Sequence, residues 1–185
     1  SYTEADAIGA AEKREIALTA AAIVKDGDTV LLDSGTTTEQ IARALAQRDI
    51  TIITNSAVLP PGSMEFRPTL LFTGGIYRPA ARSMVGPQAE RSIQSMRPDK
   101  AFIAANGVSL SHVMTPDVSE AAIKRAMISV SKEKYLVADR SKFGKRYLSV
   151  VADVGEFDAL ITDSGMPPET RKYYQTFVPV LSQAS

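Results

Sequence analysis

Residues 29–45 read TVLLDSGTTTEQIARAL. An apolar run, Thr29–Leu32, stops at Asp33, and Ser34, Gly35, Thr36, Thr37 and Thr38 follow. From Thr38 onward Ile41, Ala42 and Leu45 recur on one helical face. The stretch is a strand, a hydroxyl-rich turn and a helix. An N-cap at Ser34 or Thr36 would use one hydroxyl and leave the others unexplained. Glycine lets a backbone approach a ligand closely, and a helix N-terminus presents unpaired N–H groups at the positive end of its dipole. With hydroxyl donors added, the turn has the parts of a phosphate cradle.

The same alternation continues on both sides of this stretch. Helical spacing covers residues 12–24, before a Lys-Asp-Gly-Asp break. Short apolar runs at 50–54, 70–73, 101–105, 135–138, 147–151, 159–162 and 177–181 read as strands. Residues 86–96, with Pro87 in the first turn, 119–131 and 168–174 read as helices. Pro60 and Pro61 argue against a long helix between the second and third strands. Strands alternating with helices predict an α/β fold: a mainly parallel, twisted sheet with helices on both faces.

Composition narrows the chemistry. The chain has 185 residues, 44% hydrophobic and 23% charged, which suits one globular domain with a sizeable core. It has no cysteine, so disulfides and thiolate metal sites are excluded, and one histidine, His112, in the polar stretch SLSHVMT, which reads as a loop. Lys plus Arg and Asp plus Glu are 21 each, so the basic excess of a stand-alone nucleic-acid binder is missing. No apolar run approaches the ~20 residues of a membrane span, and no secretory leader opens the chain, so the expectation is a cytoplasmic protein without membrane contact. Residues 1–12 read as a linker remnant of a longer protein, with the domain proper over 13–185. There is no GxxxxGK[ST], GxGxxG or GxSxG, so a nucleotide P-loop, a dinucleotide site and a hydrolase elbow are unsupported, and nothing calls for a cofactor.

In an open α/β sheet, ligands bind beyond the carboxyl ends of the strands. Those ends here read LLDSGTTT, IITNS, LFTGG, AANGV and VADRSKFG. Thr54 and Asn55 can add an amide and hydroxyls, though Asn-Ser is also ordinary turn chemistry. Gly74 and Gly75 allow close approach of a ligand, or simply a tight turn. Glu120 and Lys124 lie four apart on one helix face, either as a surface ion pair or as groups facing sugar hydroxyls and an anion. Asp117 with Glu120 also has capping-box spacing. Lys142 follows a strand end at Asp139 and can reach a phosphate, or stand solvated in its turn.

Taken in order, these motifs resemble the C-terminal effector-sensing domain of DeoR-family bacterial transcription regulators. The resemblance spans about residues 13–162. It implies a ribose-5-phosphate isomerase-like fold and an N-terminal winged helix-turn-helix, missing from this chain, that binds operator DNA. It also implies a phosphorylated sugar or related effector, repression of sugar catabolism, and a homo-oligomer, dimer or tetramer. Residue by residue, Ser34, Gly35, Thr36, Thr37 and Thr38 would hold the phosphate beside Asp33, Thr54, Asn55, Gly74 and Gly75. Asn106, Gly107, Glu120, Lys124 and Lys142 would surround the sugar. Arg140 departs from the small residue common in the family, and the segment between the second and third strands is short and proline-broken.

Three classes fit these residues. A sensor binds without turnover. A sugar-phosphate isomerase needs a base, from Asp33, Glu120 or Asp139, and an electrophile, from Lys124 or Lys142. A protein-interaction domain without a ligand is disfavoured by the polar strand ends. The resemblance selects the sensor, with no catalytic residues and no metal site.

Overall fold

In the computed structural model, which describes residues 9–183, the strand Thr29–Leu32 (β1) has a parallel partner on each side. These are β2 (Thr51–Thr54) and β6 (Lys100–Ala104). Beyond β2 lies β3 (Thr69–Phe72), and beyond β6 lie β9 (Glu133–Val137), β11 (Ala159–Ile161) and β12 (Val180–Leu181). The order β12-β11-β9-β6-β1-β2-β3 makes one seven-stranded sheet in which every pairing is parallel.

Side-chain alternation explains the layering. Val30 and Leu32, Ile52, Phe102, Tyr135 with Val137, and Ala159 with Ile161 enter one core. That core is closed by α1 (Ala10–Ile23) and α2 (Thr36–Ala44). Leu31, Ile53, Ala101 with Ile103, Leu136 and Leu160 point the other way. They meet α3 (Pro87–Gln94), α4 (Val118–Val130) and α5 (Pro168–Tyr174). Strands buried on both faces need near-continuous apolar sequence, which is what runs such as "VLL" and "TII" supply. Each fully buried Leu or Ile contributes about 1.5–3 kcal/mol.

Two small antiparallel additions depart from the sequence reading. A hairpin pairs β4 (Ile76–Arg78) with β5 (Ser83–Val85), and a three-stranded sheet orders β10 (Ser149–Asp153), β8 (His112–Thr115) and β7 (Gly107–Ser109). Four of these strands, β4, β5, β7 and β8, are three or four residues long and lie in turn-rich sequence, too short for periodicity to mark. The strand expected near 147–151 forms, but in the antiparallel sheet. His112, expected in a loop, opens β8 and remains exposed, its Nε2 lying 3.5 Å from Asp153 Oδ1. Residues 1–8 of the expected linker lie outside the described residues, and Glu12 lies within α1. No helix among the described residues is long and apolar enough to cross a membrane.

Candidate functional site

The turn after β1 opens onto a cavity of about 420 Å³ at the carboxyl ends of the central strands. Its wall takes Ser34, Gly35, Thr36 and Thr37 from that turn, residues 104–106 from the end of β6, Glu120 and Lys124 from α4, and Lys142 from the turn after β9. This volume suits a small metabolite.

The α2 terminus differs from the expected cap. The N-cap residue is Gly35, neither Ser34 nor Thr36, and no side chain caps the helix. The first helical bond runs from the Glu39 N–H to the Gly35 carbonyl, so the N–H groups of Thr36, Thr37 and Thr38 have no intrahelical acceptor. Gly35 has φ +131°, a conformation that L side chains rarely adopt, while a Cβ there would meet nothing nearer than Ala104 Cβ at 4.0 Å. The glycine serves the backbone turn, not a shortage of space. Among the described residues the hydroxyls of Ser34, Thr36 and Thr37 have no hydrogen-bond partner; Thr38 is satisfied internally, donating to the Gly35 carbonyl at 3.1 Å.

Behind the turn lies a buried ion pair. Asp33, fully buried, accepts from the Ser34 N–H (2.8 Å), the Ala104 N–H (3.0 Å) and Lys124 Nζ. Lys124 also donates to the Ala104 carbonyl at 3.0 Å. Lys124 therefore pairs across the fold with Asp33, and neither it nor Glu120 is a surface group. Glu120 accepts the Ser83 hydroxyl at 2.5 Å. Burial pushes its carboxyl above the usual range, against the opposing pull of Ser83 and Lys124.

Asp117 is the N-cap of α4, accepting from the N–H groups of Ser119 (2.8 Å) and Glu120 (3.0 Å). Its other oxygen holds Arg78 at 2.6 Å. Burial raises its carboxyl, but those N–H groups and Arg78 prevail and keep it below its ordinary value. Lys142 makes no ion pair and no side-chain hydrogen bond among the described residues, and is the pocket cation left for a ligand.

Other expected residues stand outside this lining. Thr54 is buried, its hydroxyl accepting the Ser56 N–H at 3.0 Å. Asn55 donates to the Met84 carbonyl at 3.0 Å, and its Oδ1 has no partner among the described residues. Gly74 and Gly75 have positive φ, and a Cβ on Gly75 would lie 2.7 Å from the Val85 carbonyl, so this turn packs against β5 and α3. Gly107 is equally tight, 2.4 Å from the Lys145 carbonyl. Arg78, Ala80 and Ala81 of the hairpin, and Thr115 and Pro116, enter the wall without any sequence signal beyond the Gly-Gly turn. Among the described residues no group of three or more His, Cys, Asp or Glu could hold a metal.

An α/β sheet with a cavity over its central strand ends has the layout of a ligand-binding α/β domain. The chain belongs to the family of the DeoR C terminal sensor domain, whose model matches residues 9–164. It is 35% identical over 188 residues to an HTH-type transcriptional regulator, YulB, of Bacillus subtilis, covering 97% of this chain and 72% of that one. It is 34% identical over 176 residues to the lactose phosphotransferase system repressor of Staphylococcus epidermidis, covering 92% and 69%. Ribose 5-phosphate isomerase A from Methanocaldococcus jannaschii shares the fold, with a TM-score of 0.51 at 18% identity over 71% of this chain and 53% of that one. The domain is thus the sensor module of a DeoR-type regulator, built on an isomerase-like fold.

Proposed function

We propose that the domain binds a phosphorylated sugar in this cavity and that occupancy alters operator binding by a winged helix-turn-helix preceding it in a longer repressor. One observation carries the effector: an uncapped helix N-terminus and three unpaired hydroxyls share a pocket with Lys142. Those groups are donors without acceptors, and a phosphate is an acceptor without donors. Ser34, Gly35, Thr36, Thr37 and Lys142 hold the phosphate; Asn106 and Glu120 face the rest of the ligand. Asp33, Lys124 and Thr38 act from behind, by fixing the turn. The names of the relatives and the fraction of their length spanned support the remainder. The dimer or tetramer belongs to the same proposal and is read by light scattering.

A ligand that binds one of two arrangements better than the other shifts their populations, and that differential affinity is what reaches the DNA-binding module. A thermal-shift panel of sugar phosphates, each beside its unphosphorylated parent, tests the reading. Ligand in excess raises the melting temperature by mass action. A shift with a phosphate ester and none with its parent is expected; no shift with any phosphate refutes the proposal.

A further inference from the structure

Lys142 has no side-chain partner among the described residues, so its place in the pocket is inherited from the backbone that carries it. That backbone is the single 3-10 turn Arg140–Lys142, and it is restrained from three directions. Asp139 caps it, accepting from the Ser141 N–H at 2.9 Å and from the Ser141 hydroxyl. Past the turn, the Gly144 N–H donates to the Val108 carbonyl at 2.8 Å and the Phe143 ring packs edge-on against Tyr174.

The third restraint is Arg140. Its N–H donates to Asp163 Oδ1 at 2.7 Å, and Nη1 donates to Asp163 Oδ2 at 2.6 Å. The other guanidinium nitrogen, Nη2, donates to Glu12 Oε1 at 2.8 Å, in the first turn of α1. The seat is shaped for it: a Cβ on Gly165 would fall 2.0 Å from Nη1. Asp163 is fully buried, and a buried carboxylate holds its counter-ion far more firmly than a surface one does. A planar fork spans two carboxylates at once, which an ammonium does poorly.

We infer that Arg140 is a positioning residue for the effector's phosphate, acting through Lys142 and itself set by Glu12 and Asp163. This rests on the phosphate reading of the pocket. It also ties the cavity to α1, since Glu12 and Arg140 are 128 residues apart in sequence. A second strap runs beside it, from the Ser164 N–H to Glu15 Oε2 at 2.8 Å. Displacing α1 loosens Lys142, and by linkage a phosphate held by Lys142 stiffens the seating of α1.

The test is a titration with inorganic phosphate followed by 31P NMR, on the whole chain and on Lys142→Met, Arg140→Lys and Glu12→Gln, alone and combined. Arg140→Lys keeps a positive charge beside Asp163 and loses the fork; Glu12→Gln takes the charge out of the link to α1 and leaves only a neutral amide oxygen as acceptor. Lys142→Met is expected to weaken phosphate by about tenfold. Arg140→Lys and Glu12→Gln should each weaken it by about threefold or more when Lys142 is present, and have little effect in the Lys142→Met background, because partners acting as one unit are not additive. Equal losses in both backgrounds, or none, overturn the inference while leaving the phosphate site intact. If the unaltered chain binds no phosphate, or Lys142→Met binds it unchanged, the pocket reading itself falls and takes the inference with it.

Discussion

Lys124→Met removes the counter-ion of a carboxylate that has no exposed surface. Asp33 is 0% exposed and the Lys124 side chain 5%. Once the ammonium is gone, Asp33 keeps two N–H donors, from Ser34 and Ala104, and no positive charge. Breaking one partner out of a buried pair costs about 3–5 kcal/mol. The two remaining backbone bonds place this case at the lower end, about 3 kcal/mol. Against a typical domain stability of roughly 5–15 kcal/mol, that is a large fraction. With a urea slope of about 2 kcal/mol per molar, the unfolding midpoint falls by about 1.5 M. The assay is urea unfolding by circular dichroism at pH 7. The Asp33→Asn, Lys124→Met double variant removes both charges and should recover more than half of the loss. A midpoint shift under about 0.3 M for Lys124→Met, or a double variant that loses the sum of the singles, would refute the buried-pair account.

Four further outcomes rest on the same geometry. Burial holds Glu120 protonated to higher pH in the native state than in the unfolded chain, so the native state binds the extra proton from about the ordinary value of 4.5 up to the raised one; stability drops as pH rises through that window, and urea midpoints of Glu120→Gln should lack this slope. Asp117 runs oppositely, its contribution being present above its ordinary 3.8 and lost as pH falls through the lowered native value. Gly107→Ala places a methyl 2.4 Å from the Lys145 carbonyl and 2.9 Å from the Tyr147 ring, and should cost about 1–3 kcal/mol in the same urea assay. Thr37→Ala should weaken the effector by ~1–3 kcal/mol in calorimetry with no change in urea midpoint, because its hydroxyl has no partner within the described protein.

The central strands were legible because burial on both faces demands unbroken apolar runs, and β1 and α5 fall at their expected bounds. The hydroxyl-rich turn was legible because glycine and threonine at a strand end have few structural reasons to cluster. The helix start was misjudged: Thr36 and Thr37 lie inside α2, and the uncapped terminus cannot be told from a capped one by residue type. Glu120 and Lys124 stood correctly on one helix face, yet their true partners, Ser83 and Asp33, are 37 and 91 residues away. No local pattern encodes such separations.

What the sequence determined by itself was therefore the part governed by short-range rules: an alternating α/β fold, the strand-end turn at residues 33–38, the α4 cap at Asp117, and the motif order that marks the family. Only the tertiary structure decided which strand ends share one cavity. The order β9-β6-β1-β2-β3 brings Lys142 to it from the β9 side and the residues of the β4–β5 hairpin from the β3 side, whereas Thr54, Gly74, Gly75 and Gly107 are taken up by packing. Charge pairing was decided there too. A carboxylate withdrawn from water takes whichever cation the fold delivers, and that delivery depends on sheet order, which residue spacing along the chain does not contain.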